Sequence, residues 1–139
     1  MIGRRYDPIS VLLVAIGGYG QHYLNALLDL ASEPGAMPCR LAGVVDPMAR
    51  QSPAWPKVQP LGVAVHDTIE EFYAAGHEAH VAVVASPIHW HVPQSLVALA
   101  NVSNVLCDKP LCATVQEANE LRRRVVTTFV GRGIRPYAG

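Results

Sequence analysis

Val11-Leu-Leu-Val-Ala-Ile-Gly-Gly-Tyr-Gly20 is an all-apolar run that breaks off into glycines and leads directly into a helical pattern, Gln21 to Leu30. That order is strand, tight turn, helix. It brings backbone N–H groups and the positive end of a helix to a place where a phosphate can sit. In register the stretch reads Ala15-x-Gly17-x-x-Gly20, a dinucleotide-binding fingerprint with alanine in place of its first glycine. Gly17 lets the backbone approach a pyrophosphate, Gly18 and Tyr19 carry the turn, and Gly20 lets the helix pack closely on the strand. Glycines also follow buried strands for steric reasons alone, so the remainder of the chain has to decide.

With 139 residues, half of them hydrophobic and 16% charged, the chain reads as one globular domain over 1–139, long enough to bury roughly two-thirds of its unfolded surface. A net charge of zero leaves no basic stripe for a phosphate backbone, so nucleic acid is not an expected partner. Cys39, Cys107 and Cys112 form no Cys-x-x-Cys pair and fit a reducing compartment. No apolar run approaches the ~20 residues of a membrane span, and the N-terminus has no signal-peptide pattern. The expectation is a soluble, cytoplasmic protein.

Strand-like runs alternate with helical patterns along the chain. The spacing predicts strands at Val11–Ile16, Leu41–Val45, Val63–Val65, Val81–Ala85 and Val105–Cys107. It predicts helices over Tyr19–Ala31, from a capping box Asp67-Thr-Ile-Glu70 to about Ala75, and over Pro93–Ala100. Pro47, Pro53, Pro56 and Pro60 mark an irregular connection after the second strand. A second capping box, Thr114-Val-Gln-Glu117, opens a last helix with Val115, Ala118, Leu121, Val125 and Phe129 on one face. The β-branched run Val125–Val130 reads as its continuation rather than a strand, with Gly131 as the C′ residue and an irregular tail over 131–139.

Continuously apolar strands are buried on both faces, which implies a parallel sheet between helices. The expected fold is α/β, a three-layer, doubly wound parallel sheet of Rossmann type. Ligands of such sheets bind outside the carboxyl ends of the strands. That selects Gly17–Gly20, Asp46, His66, Ser86–His91 and Asp108–Pro110.

Asp46 ends the second strand, where a carboxylate accepts hydrogen bonds from both hydroxyls of an adenosine ribose and repels a 2′-phosphate. That favours NAD over NADP, although Arg50 lies close enough in sequence to accommodate a phosphate. The competing reading is that Asp46-Pro47 simply turns the chain. Ser86-Pro-Ile-His-Trp-His91 leaves the fourth strand where the wall of a nicotinamide site would lie. His89 and His91 have a spacing used by metal ligands, but no third ligand follows nearby. No metal is expected there; a polar contact or helix-start hydrogen bonding is. Asp108-Lys109-Pro110 follows the fifth strand, where Lys109 can polarise a hydroxyl or carbonyl oxygen. The alternative is an ordinary surface ion pair.

The order and spacing of AxGxxG, VVDP, ASPxxxH and DKP resemble the N-terminal half of the glucose–fructose oxidoreductase, inositol dehydrogenase and rhizopine-catabolism (Gfo/Idh/MocA) family over about residues 9 to 124. The resemblance implies that Gly17 and Gly20 serve the pyrophosphate and Asp46 the adenosine ribose of NAD or NADP, with Ala15, Gly18 and Tyr19 also in the cofactor-binding turn. It places Ser86, Pro87 and His91 on the nicotinamide side, Asp108 near the second ribose, and Lys109 on the substrate oxygen. Two departures stand out: Ala15 for the first glycine, and Asp108 for a glutamate one methylene longer. Family members continue into a second α/β domain, and with the sequence ending at Gly139 that domain is expected to be absent and the active site incomplete. The expected activity is hydride transfer between a nicotinamide cofactor and a sugar-like or cyclic alcohol, a small-molecule substrate. A nucleotide-binding or regulatory module without turnover is the alternative. Apolar surface left uncovered predicts a homodimer.

Overall fold

The structure, a computed structural model, describes residues 7–36 and 38–131. Its strands are β1 (Ile9–Val14), β2 (Cys39–Val45), β3 (Ala64–His66), β4 (Val81–Val84) and β5 (Asn104–Cys107). Its α-helices are α1 (Gly20–Ser32), α2 (Trp55–Val58), α3 (Ile69–Ala74), α4 (His91–Ala100) and α5 (Val115–Gly131). The strands form one five-stranded sheet in the order β3-β2-β1-β4-β5, every pairing parallel. From β1 the chain works outward through β2 and β3, then crosses back to β4 and β5. The turn after β1 therefore opens at the point where the strand order reverses, which is where such sheets bind ligands.

Side chains alternate between two cores, one on each face. Leu12, Val14, Ala82 and Val84 meet Ile69 and Phe72 of α3 and Ala98 of α4. Leu13, Val44 and Val83 meet Leu24 of α1 and Val58 of α2 on the other face. Each fully buried side chain of this size contributes roughly 1.5–3 kcal/mol. The three layers and the parallel sheet are those the apolar runs predict. Among the described residues no helix is long and apolar enough to cross a membrane.

Several boundaries differ from the sequence reading, each for a local reason. β1 ends at Val14 rather than Ile16, because Ala15 turns the chain with φ of +71°. Ile16 is fully buried, but in the turn. The connection after β2 is not irregular. It consists of α2 flanked by 3₁₀ turns at Ala49–Gln51 and Gln59–Leu61, with Pro56 and Pro60 in first-turn positions that need no N–H donor. Thr68, not Asp67, caps α3. Its hydroxyl accepts from Glu71 N–H at 3.2 Å, while the Glu71 carboxylate accepts from the N–H groups of Asp67 and Thr68. α4 starts at His91, two residues before the expected Pro93, after a 3₁₀ turn at Ile88–Trp90.

The capping box at Thr114 and Glu117 forms as expected, and the helix it opens runs through Val125–Val130 to Gly131. Among the helices α5 packs chiefly on α4, and its first turn is exposed. Val115 is 73% exposed and Ala118 is exposed, whereas Leu121 is buried and Val125 half-buried. The Phe129 side chain and the expected tail beyond Gly131 lie outside the described residues.

Candidate functional site

The chain leaves β1 through a turn that holds its own backbone donors free. Ala15 N–H donates to Val45 at 2.8 Å, and Gly20 N–H donates back to Gly17 at 3.1 Å. The N–H groups of Gly17, Gly18 and Tyr19 donate to nothing among the described residues. No side chain caps α1, whose N-cap is Tyr19, and its first turn carries no acidic residue. Unpaired donors at an uncapped helix N-terminus form a seat for an anion. The turn is tight enough to exclude a side chain at Gly20: a Cβ there would lie 1.9 Å from the Ala15 carbonyl oxygen.

Above the turn lies a cleft of about 790 Å³, within the roughly 300–1,000 Å³ usual for ligand sites. Its floor is Val14, Ala15 and Gly17–Tyr19. One end is made by Val45–Met48 and Asp67–Glu70, the other by Ala85–Pro87, Trp90, Pro93, Gln94 and Asp108. Asp46 stands at the first end. Its Oδ2 accepts from Ile16 N–H at 2.9 Å and its Oδ1 from Met48 N–H at 2.8 Å. The chain-turning role is thus present: Asp46 pins the glycine turn to the end of β2. Each carboxylate oxygen retains a second lone pair for a ligand hydroxyl. Arg50 does not line the cleft; its guanidinium lies over the Trp55 ring, 5.8 Å from the centroid.

At the other end, Ser86 and Pro87 follow β4, and the Ser86 hydroxyl donates to Gln94 Oε1 at 2.6 Å. Asp108 leaves β5 half-buried and on the cleft wall. Its Oδ1 accepts from Lys109 N–H at 2.9 Å and from the Tyr23 hydroxyl at 3.5 Å, the latter a weak bond. Loss of solvent, then the Asp108 charge, holds the Tyr23 phenol above its ordinary pKa, so it remains a neutral donor toward that carboxylate. Lys109 precedes a cis peptide to Pro110; its side chain is exposed and is not part of the cleft wall.

His91, expected on the nicotinamide side, is 2% exposed and off the wall. Its Nδ1 lies 2.7 Å from the Pro110 carbonyl and its Nε2 2.7 Å from the Ser86 carbonyl. Both partners are acceptors, so both contacts are hydrogen bonds only when both ring nitrogens carry protons. The ring ties the Pro110 segment to the Ser86 turn and has no atom left for a cofactor or metal.

Of the residues selected from sequence, Ala15, Gly17, Gly18, Tyr19, Asp46, Ser86, Pro87 and Asp108 converge on the cleft, while Gly20, His91 and Lys109 do not. Trp90, in the selected Ser86–His91 segment, also lies on the wall; sequence reasoning missed Met48, Thr68 and Gln94 there, and Tyr23 behind Asp108. For Met48 the signal was present, since it sits in a segment that leaves a strand's carboxyl end. For Gln94 it was not, because its contact depends on how α4 lies against β4.

A parallel sheet with an uncapped glycine turn at its switch point, and a carboxylate after the next strand, defines a dinucleotide-binding domain of Rossmann type. The chain belongs to the Gfo/Idh/MocA oxidoreductases: the model of that family, an oxidoreductase family with an NAD-binding Rossmann fold, matches residues 9–129. No curated protein matches the sequence. Among solved structures, the WlbA dehydrogenase of Bordetella pertussis, in complex with NADH and UDP-GlcNAcA, is similar at TM-score 0.74 and 16% identity. The match covers 93% of this chain and 36% of that one. The myo-inositol 2-dehydrogenase of Lactobacillus plantarum is similar at TM-score 0.69 and 20% identity, over 88% of this chain and 34% of that one. At such identities the likeness is one of fold. The chain spans about a third of the length of these structures.

Proposed function

We propose that this chain is the cofactor-binding part of an oxidoreductase that moves hydride between a nicotinamide ring and a sugar-like or cyclic alcohol. The observation that carries this is the row of free N–H groups at Gly17–Tyr19 under a cleft flanked by Asp46. Those donors and the α1 dipole hold the pyrophosphate. Asp46, already oriented by two backbone N–H groups, accepts the adenosine ribose hydroxyls. With Arg50 drawn aside onto Trp55, a 2′-phosphate meets a carboxylate and no cation, which supports NAD over NADP. Ser86 and Pro87 line the nicotinamide end and Asp108 the second ribose, while Lys109 meets the substrate oxygen from solvent. The sugar-like substrate class draws on the similar structures, one in complex with UDP-GlcNAcA and one an inositol dehydrogenase. When bound, the nicotinamide supplies or accepts the hydride; the protein supplies orientation and electrostatics.

A second reading, a nucleotide-binding module without turnover, is favoured by one observation, the Lys109 side chain lying off the cleft wall. The exposed Leu106 and Leu111 beside β5, an edge strand of the sheet among the described residues, support self-association into a homodimer, which sedimentation at rising concentration reads directly. Calorimetric titration with NAD and NADP tests the main reading. NAD is expected to bind more tightly, and Asp46→Ala is expected to weaken NAD more than NADP. An equal loss for both sinks the ribose assignment, and no binding of either sinks the function.

A further inference from the structure

Gln94 is a side chain that the glycine turn and the strand-end residues leave unexplained. It sits in the first turns of α4, half-buried, on the wall of the cleft at the end away from Asp46. Its amide oxygen is taken: Ser86 Oγ–H donates to it at 2.6 Å. What Gln94 has left to offer the cleft is its amide nitrogen, with two N–H donors that bond to nothing among the described residues. A carboxamide held by one atom has its plane restricted, so the free donors are oriented before any ligand arrives, and preorganised donors lose less on binding. Around them Ala85, Pro87 and Pro93 offer no side-chain donor, Trp90 offers its indole N–H, and the acceptor Asp108 lies beyond.

The position in the sheet says what these donors meet. With a pyrophosphate on the turn after β1 and a ribose on Asp46 after β2, the remaining half of a dinucleotide runs toward β4, the neighbour of β1 on the other side. That half ends in a flat ring bearing a neutral carboxamide, whose carbonyl is an acceptor. We infer that Gln94 is the residue that reads the nicotinamide carboxamide, with Ser86 as the positioning residue that turns its N–H donors into the cleft. The inference rests on the dinucleotide reading above and adds to it a specificity contact for the ring.

The test compares two probes that share one half and differ in the other. NADH and ADP-ribose are titrated separately into the 139-residue chain, its Gln94→Leu variant and its Ser86→Ala variant. Gln94→Leu keeps the bulk and removes the donors. It is expected to weaken NADH about tenfold, the value of one good hydrogen bond, and to leave ADP-ribose unchanged. Ser86→Ala is expected to produce a smaller loss confined to NADH, because the amide is then free to rotate. Equal losses for both probes in Gln94→Leu mean that Gln94 merely supports the fold, and an unchanged NADH affinity means that it makes no contact; either overturns the inference. A wild-type chain that binds ADP-ribose as tightly as NADH also overturns it while leaving the dinucleotide reading intact. Binding of neither probe overturns both.

Discussion

The turn after β1 and the turn before β5 each place a residue with a side chain in the left-handed region, Ala15 at φ +71° and Val102 at φ +69°. For an L-residue that conformation costs roughly 1–2 kcal/mol, and glycine avoids it. The two turns lie at opposite ends of the sheet. Ala15 sits at the carboxyl end, held by its neighbours: its N–H donates to Val45, the next N–H to Asp46, and Gly20 packs close against its carbonyl. Val102 sits at the amino end, where α4 stops. Ser103 N–H reaches back to Ala98 and Val102 N–H to Leu99, the paired bonds of a left-handed helix terminator, and the Val102 side chain is 67% exposed. The same backbone angle is thus part of the cleft floor in one turn and an ordinary helix end in the other. Strain located by φ alone does not mark a functional site; strain interlocked with unpaired donors does.

The sharpest way to break the comparison is Gly20→Ala. The added Cβ meets two backbone atoms, Ala15 O at 1.9 Å and Ala15 C at 2.8 Å, and neither can swing aside as a side chain would. The turn itself must move, at a cost of about 3 kcal/mol or more, and the seat formed by Gly17–Tyr19 moves with it. Denaturant unfolding and NAD titration should both register the change. A variant as stable as its parent would show that the first turn is slack, and the contrast with Val102 would fail.

A smaller effect of opposite sign is expected at the other turn. Val102→Gly removes a β-branched side chain from a left-handed C′ position and gives up almost no burial. The strain relieved exceeds the roughly 0.4–1 kcal/mol that glycine loses through the freer unfolded chain. Net stabilisation of about 1 kcal/mol follows, or a rise of about 3–5 °C in midpoint for a chain of this size. NAD binding should not respond, since Val102 is at the far end of the sheet. Any change in affinity would mean that the two turns are coupled.

How much of this was legible in the sequence divides along the same line. The strand–helix alternation, the parallel sheet and the glycine turn follow from local patterns: continuous apolar runs, glycine after a strand, a carboxylate at the next strand's end. The errors arose where one pattern admits two registers. Asp67 to Glu70 and Thr68 to Glu71 both satisfy a capping box, and only the approach of the Glu71 carboxylate to two backbone donors selects the second. Ile16 continues an apolar run yet lies beyond the strand, because burial says nothing about where φ changes sign. The site was half legible for a related reason. Residues placed by strand ends, such as Asp46, Ser86 and Asp108, lie on the cleft wall where the strand order puts them. His91 and Gln94 are placed by contacts across α4, β4 and the Pro110 segment, and no spacing in the sequence encodes those.

The smallest expected effect belongs to Ala15→Gly, which restores the glycine that the fingerprint normally carries. The relief at Ala15 is smaller than at Val102, because a single methyl crowds the left-handed region less than a β-branched side chain does. The entropy lost through a more flexible unfolded chain is the same at both positions. The two terms nearly cancel, so stability should shift by less than about 0.5 kcal/mol, below half of the gain at Val102. Affinity decides what the stability cannot. Ala15 lines the cleft and Val102 does not; the methyl either touches the bound nucleotide or stands clear of it. Since Ala15 N–H, Ile16 N–H and the free donors at Gly17–Tyr19 all keep their places in Ala15→Gly, NAD affinity should stay within about threefold, under 0.7 kcal/mol. A gain of tenfold or more in a parallel titration of the two glycine variants would show that alanine at the first position restricts the pyrophosphate seat. The strain at Ala15 would then be a limit on binding, where that at Val102 limits only stability.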